Sequence, residues 1–176
     1  AYEAGAWEFY GQPLDAEALL NKLTVYCASY QEVRRLRQET LVDQESGLYS
    51  RPGLTRRATE LLGEARRSQR DVSCVVWDIP QRLDPIQVAN IGQGLRRQGR
   101  AADAFGRLDT IRFAVVAPGA SSAGVERLVE RFRGIFRESL ADREIEVNTT
   151  VLTRGHDMLP ENGWALLEAV SPAMAA

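Results

Sequence analysis

Apolar and polar residues recur along this chain with two different periods, and each change of period marks an element. Over residues 14–41 the apolar positions fall at three-four spacing: Leu19, Leu23, Tyr26, Tyr30 and Val33, carried on by Arg37 and Thr40. That is one face of a helix. Leu20 and Leu36 lie beside the seam, while Glu32, Arg34, Arg35 and Glu39 fall outside it. The spacing predicts a long helix that either pairs with a second copy or packs on its own domain. A turn at Gly47 leads to a helix opening near Pro52, a favoured first position, with Leu54, Ala58, Leu61, Leu62 and Ala65 on one side. Residues 72–79 form a nearly continuous apolar run, as expected of a strand covered on both faces. A helix over 85–99 carries Ile86, Val88, Ala89, Ile91 and Leu95.

Two short apolar segments then flank a polar turn at Asp109 and Thr110, predicting a hairpin with its tip at residues 108–112. Ser121 or Ser122 caps a helix over about 123–140, with Val125, Leu128, Val129, Phe132 and Phe136 turned inward. Residues 144–152 alternate Ile145, Val147, Thr149 and Val151, the period of a strand, and a last helix is expected over 161–170. Helices interleaved with strands predict an α/β fold, a sheet with helices on its faces.

Composition changes this picture little. Of 176 residues, 44% are hydrophobic and 26% charged, with a net charge of −2, which favours neither a nucleic acid nor a membrane surface as partner. Lys22 is the only lysine among 22 basic residues, so nearly every cation is a planar guanidinium suited to phosphates and guanine edges. No apolar run is long enough for a membrane span, and no signal-peptide pattern opens the chain. The expected location is the cytoplasm, with Cys27 and Cys74 as reduced thiols and His156 as a surface residue near a turn. The chain does not open with Met, as expected of a segment within a longer protein.

The opening stretch, residues 1–13, reads as a helix end at Gly5, a short strand at 7–10 and a Gln12-Pro13 dipeptide. It resembles the last third of a bacterial response-regulator receiver domain, with Gln12 where the phosphate-contacting Lys stands and Gly11 where Ser or Thr is usual. The plainer reading is a tail packed on its own helix. The expected organisation is a receiver-like remnant at 1–13, a signalling helix at 14–42 and a third region at 43–176.

Three separated motifs in that third region carry a more specific resemblance. D-Q-E-S-G-L-Y-S-R at 43–51, V-V-W-D-I at 75–79 and G-R-L-D-T-I-R-F-A-V-V-A-P at 106–118 resemble, in order, motifs of the GGDEF (diguanylate cyclase) family. The resemblance implies a GGDEF-type mixed sheet flanked by helices. It also places Asp78 at the family's first metal carboxylate and Asp109-Thr110-Ile111-Arg112-Phe113 at its signature loop. Here Asp109 and Thr110 replace the two glycines that let backbone approach GTP phosphates, their side chains filling that space. Ile111 and Arg112 replace the acidic pair, and an Arg cannot bind Mg2+. Pro80 stands at the second acidic position after the strand. The stretch from Asp78 to Arg112 is short by roughly two helical turns, where the guanine-anchoring Asn and Asp lie. The last helix lacks the phosphate-binding Lys and Arg. The implied outcome is a degenerate domain that is not an enzyme, with no metal and no cofactor. Arg112, on the strand beside Asp78, is expected to sit in the metal's place and pair with that carboxylate; the plainer reading is an exposed hairpin charge.

One family feature is kept. Arg100-Ala101-Ala102-Asp103 is followed by residues 104–108 and then by Asp109, the spacing of the family's inhibitory site for cyclic di-GMP. A guanidinium reads guanine O6 and N7 with two parallel bonds, and a carboxylate accepts from N1 and N2. By offset Arg131 completes the site, with Arg97 and Arg127 as weaker candidates. The plainer reading is a helix-terminal Arg paired with a local Asp. The implied function is a cyclic di-GMP receptor in bacterial signalling. It would act as a homodimer, through the N-terminal helix or a ligand-bridged site, on a downstream protein partner. The alternative is a ligand-free interaction module in a response-regulator-like protein.

Overall fold

The computed structural model describes residues 15–140 and 146–170, the side chains at 31–39 and 122 excepted. The receiver-like readings on residues 1–13 lie outside the described residues, as do Ile145 and the side chains of Val33, Leu36 and Arg37. The chain divides into two compact units, Ala1–Arg37 and Gln38–Ala176.

In the first unit, α1 (Ala16–Glu39) opens where the Asp15 carboxylate accepts from the backbone N–H groups of Glu17 and Ala18, at 3.1 and 3.0 Å. This side-chain cap satisfies two of the donors a helix start leaves free. Leu20, Leu23, Val25, Tyr26 and Tyr30 are exposed on it, while Leu19 is partly buried.

In the second unit come α2 (Arg51–Arg67), β1 (Val72–Asp78), α3 (Pro85–Gln98), β2 (Ala104–Arg107) and β3 (Arg112–Pro118). They are followed by α4 (Ser122–Leu140), β4 (Asn148–Arg154), a 3-10 turn at His156–Met158 and α5 (Gly163–Val170). The sheet has the order β2-β3-β1-β4, with every ladder between these strands antiparallel. An isolated parallel bridge joins Tyr49 to Gly106.

β1 is the central strand because both its faces are apolar. Val75 and Trp77 point to a layer with Phe105, Phe113, Ile91, Leu95, Phe132 and Phe136, under α3 and α4. Val72, Cys74 and Val76 point the other way, to Leu54, Leu62, Leu166 and Leu167 of α2 and α5. Burial raises the Cys74 thiol to about 12, so it stays a protonated, inert part of that core.

The structure differs from the sequence pattern at two edges. On α3, Ile86 and Ala89 face outward, and the buried stripe is Val88, Ile91, Gly92 and Leu95. The strand expected at 144–152 runs instead from Asn148 to Arg154, paired from Asp78↔Asn148 to Val72↔Arg154. β4 is an edge strand, so its alternation is weakly enforced: Val151 is 46% exposed, and Leu152 packs on the α2–α5 layer. Ser121 caps α4: its Oγ accepts from the Gly124 N–H at 3.3 Å. His156 is exposed on the 3-10 turn, its backbone N–H on Asp71 at 3.2 Å.

Candidate functional site

β2 carries a candidate site at each end. At its start, α3 stops at Gly99, whose N–H donates to Leu95 O at 2.9 Å. Residues 100–103 then form a tight turn. The Arg100 N–H donates to Asp103 Oδ2 at 3.1 Å, and the Asp103 N–H returns to Arg100 O at 3.0 Å. Arg-x-x-Asp is thus one closed unit, which fixes the carboxylate while leaving the Arg100 side chain exposed.

Asp103 is half-buried, and burial lifts its carboxyl above the ordinary range. The Arg100 backbone bond and the charges of Arg100 and Arg131 act in the opposite direction. Arg131, on α4, is therefore part of the same electrostatic environment. Its guanidinium lies 4.9 Å from the centre of the Phe132 ring, and Phe132 is itself wedged edge-on against Phe105 and Trp77 at 5.2 and 5.7 Å. The Arg131 cation thus lies within cation–π reach of a ring anchored in the core. Arg127 instead turns to its own helix, donating to Ala123 O at 3.1 Å. Arg97 lines a polar groove of about 440 Å³ between α3 and α4, with Gln93, Gly94 and Ile135.

At the far end of β2, residues 108–111 form the hairpin tip. The Leu108 N–H donates to Arg112 O at 2.9 Å. Asp109 folds back onto its own turn. Oδ1 accepts from the N–H groups of Ile111 and Arg112, each at 2.9 Å, and Oδ2 accepts from Arg112 Nε at 2.6 Å. The Asp109 side chain thus also caps its own turn, since a short carboxylate readily reaches the backbone two residues on. Thr110 is exposed and Ile111 half-buried, with Ile111 O accepting from the Ile79 N–H at 2.9 Å.

Arg112 lies opposite Asp78 in the β1–β3 ladder, and its Nε is 3.8 Å from Asp78 Oδ1. Its side chain is only 18% exposed, which excludes a free hairpin charge. The tighter partner is Asp109, at 2.6 Å, which the sequence pattern did not reveal. Burial raises the Asp78 carboxyl, partly opposed by Arg112 and reinforced by Asp109. Among the described residues no group of three or more His, Cys, Asp or Glu side chains is placed to hold a metal ion.

Charge pairing continues behind the tip. Arg107, 9% exposed, reaches Glu45 at 2.5 Å and Asp43 at 3.4 Å, and donates from Nε to Asp109 O at 3.0 Å. Glu45 is thus tied to the strand behind the tip. On the other face, Arg51 pairs with Glu168 at 3.4 Å and lies 4.8 Å from the Trp164 ring centre.

No family model and no curated protein matches the chain. Solved structures do. The GGDEF domain of DgcB from Caulobacter crescentus, in complex with c-di-GMP, is similar at 16% identity and a TM-score of 0.63, covering 78% of this chain and 87% of that one. The GGDEF domain of PA1120 from Pseudomonas aeruginosa is similar at 21% identity and a TM-score of 0.57, covering 76% and 86%. The FimX GGDEF domain from Pseudomonas aeruginosa reaches a TM-score of 0.60 at 9% identity, covering 77% and 91%. The fold is that of GGDEF domains. Among the described residues no helix is long and apolar enough to cross a membrane.

Proposed function

We propose that this chain is a GGDEF-type domain without cyclase chemistry that receives cyclic di-GMP at Arg100, Asp103 and Arg131. The observation that carries this reading is the closed Arg100–Asp103 turn, with a half-buried carboxylate and the charges of two arginines acting on it. Arg100 has the fork to read guanine O6 and N7, and Asp103 accepts from N1 and N2. Arg131, with its guanidinium 4.9 Å from the centre of the Phe132 ring, offers a plane for purine stacking and charge for phosphate. That DgcB was solved with c-di-GMP on the same fold supports the choice of ligand.

The loss of catalysis rests on Arg112. Phosphoryl transfer is chiefly metal-assisted positioning, and a guanidinium paired with Asp109 and Asp78 leaves neither carboxylate for Mg2+. No cofactor or metal enters this reading. The domain would work in the cytoplasm of a bacterial signalling protein, downstream of a receiver-like segment and upstream of a protein partner. Titration calorimetry with cyclic di-GMP tests the receptor, with binding sharply weakened in Arg100→Ala and Asp103→Ala. Incubation with GTP and Mg2+ tests the enzyme reading, with no product expected.

The exposed Leu20, Leu23, Tyr26 and Tyr30 of α1 favour a second reading, an interaction module that pairs through this helix without ligand. Binding-independent dimerisation in ultracentrifugation, with no heat on titration, would support it.

A further inference from the structure

The turn after α1 is gripped by the helix that presents Arg100. On α3, a Cβ at Gly92 would collide with the carbonyl of Ser46, so only a glycine lets the turn lie this close. One helical turn later, Arg96 Nη1 donates to Gly47 O at 2.8 Å. Gly47 has φ +64°, a backbone conformation that favours glycine, and a Cβ there would push the flexible end of Arg96 off its carbonyl. Gly92, Arg96 and Arg100 follow at steps of four, the last just beyond the helix end.

The turn is knit on its other side to the chain leading back into α1. The Gly47 N–H donates to Asp43 O at 2.7 Å, and the Ser46 N–H to Asp43 Oδ1 at 2.8 Å. The Ser50 N–H donates to Leu41 O at 3.1 Å, and its Oγ to Thr40 O at 2.5 Å.

We infer that Arg96 couples occupancy of the Arg100–Asp103 site to the turn at residues 40–50. This rests on the reading that cyclic di-GMP binds there. Helix ends fray, and a ligand held by Arg100 and Asp103 stops the last turn of α3 from opening. The Arg96–Gly47 bond then persists for a larger share of the time, and the turn tightens. No contact between ligand and turn is required, because the coupling is carried by lost motion.

Hydrogen exchange on the full chain, with and without saturating cyclic di-GMP, reads this out. The amides of Ser46, Gly47 and Ser50 should slow by about fivefold or more when ligand is bound. In Arg96→Ala the slowing should vanish while affinity falls by no more than the factor of the slowing, as reciprocal coupling requires, and Arg96→Lys, which keeps the charge, should show wild-type affinity. Binding without slowing, or slowing that survives in Arg96→Ala, overturns the coupling and leaves the receptor intact. A loss of affinity of about tenfold or more in both variants would make Arg96 a ligand contact and also overturn it. No heat from the wild-type chain would remove the receptor reading itself.

Discussion

The two ends of β2 handle charge in opposite ways. At the end leading into β3, every ionic side chain is answered by another of this chain: Arg112 by Asp109 and Asp78, Arg107 by Glu45 and Asp43. At the end leading from α3, Arg100 is exposed beside a carboxylate that burial holds above its usual range. A region whose cations are consumed internally has no purchase on an anionic nucleotide. A region that presents them around a pre-positioned carboxylate has. On the proposed function, that difference would let one fold lose a reaction at one end of a strand and keep recognition at the other.

The largest effect expected is on the support of the open end. Phe132 is fully buried between Trp77 and Phe105, so Phe132→Ala should lower unfolding stability by about 3–5 kcal/mol in denaturant titration. Removing ligand groups comes next. Arg100→Ala and Asp103→Ala should each weaken cyclic di-GMP binding by about tenfold to a hundredfold in calorimetry, with the melting temperature nearly unchanged.

The closed end is sharpened by reversing its cation. Arg112→Glu should destabilise the domain by about 1–2 kcal/mol, by leaving Asp109 and Asp78 unanswered, and Mg2+ should then raise its melting temperature while leaving the wild type unmoved. GTP should still yield no product, since the resemblance implies that the stretch from Asp78 to Arg112 carries no guanine anchors.

The smallest effect is on pH. A carboxyl raised in the folded state contributes stability below its ordinary range and loses it as pH rises through the raised value. Asp103→Asn should therefore melt no lower than wild type at neutral pH, and lose any advantage in acid. Binding runs the other way: it needs the ionised Asp103, so affinity should fall as pH drops toward that raised value.

Much of the comparison was legible in the sequence. The apolar run of β1, the hairpin tip and the register of Asp78 against Arg112 follow from periodicity and motif order, because a doubly covered strand tolerates no other pattern. The preference of Arg112 for Asp109 was not legible. It depends on a carboxylate folding back to cap its own turn, a choice made in local geometry rather than in spacing. The grip of Arg96 on Gly47 joins residues distant in the chain, and nothing in an arginine-rich composition singles it out. β4 was misplaced because an edge strand with one open side need not keep a strict alternation.

Calorimetric titration of the full chain with cyclic di-GMP tests the central claim most directly. The account predicts saturable binding in the wild type, kept in Arg112→Ala and weakened by about tenfold or more in Asp103→Ala. No heat from the wild type, or equal binding by Asp103→Ala, would contradict it.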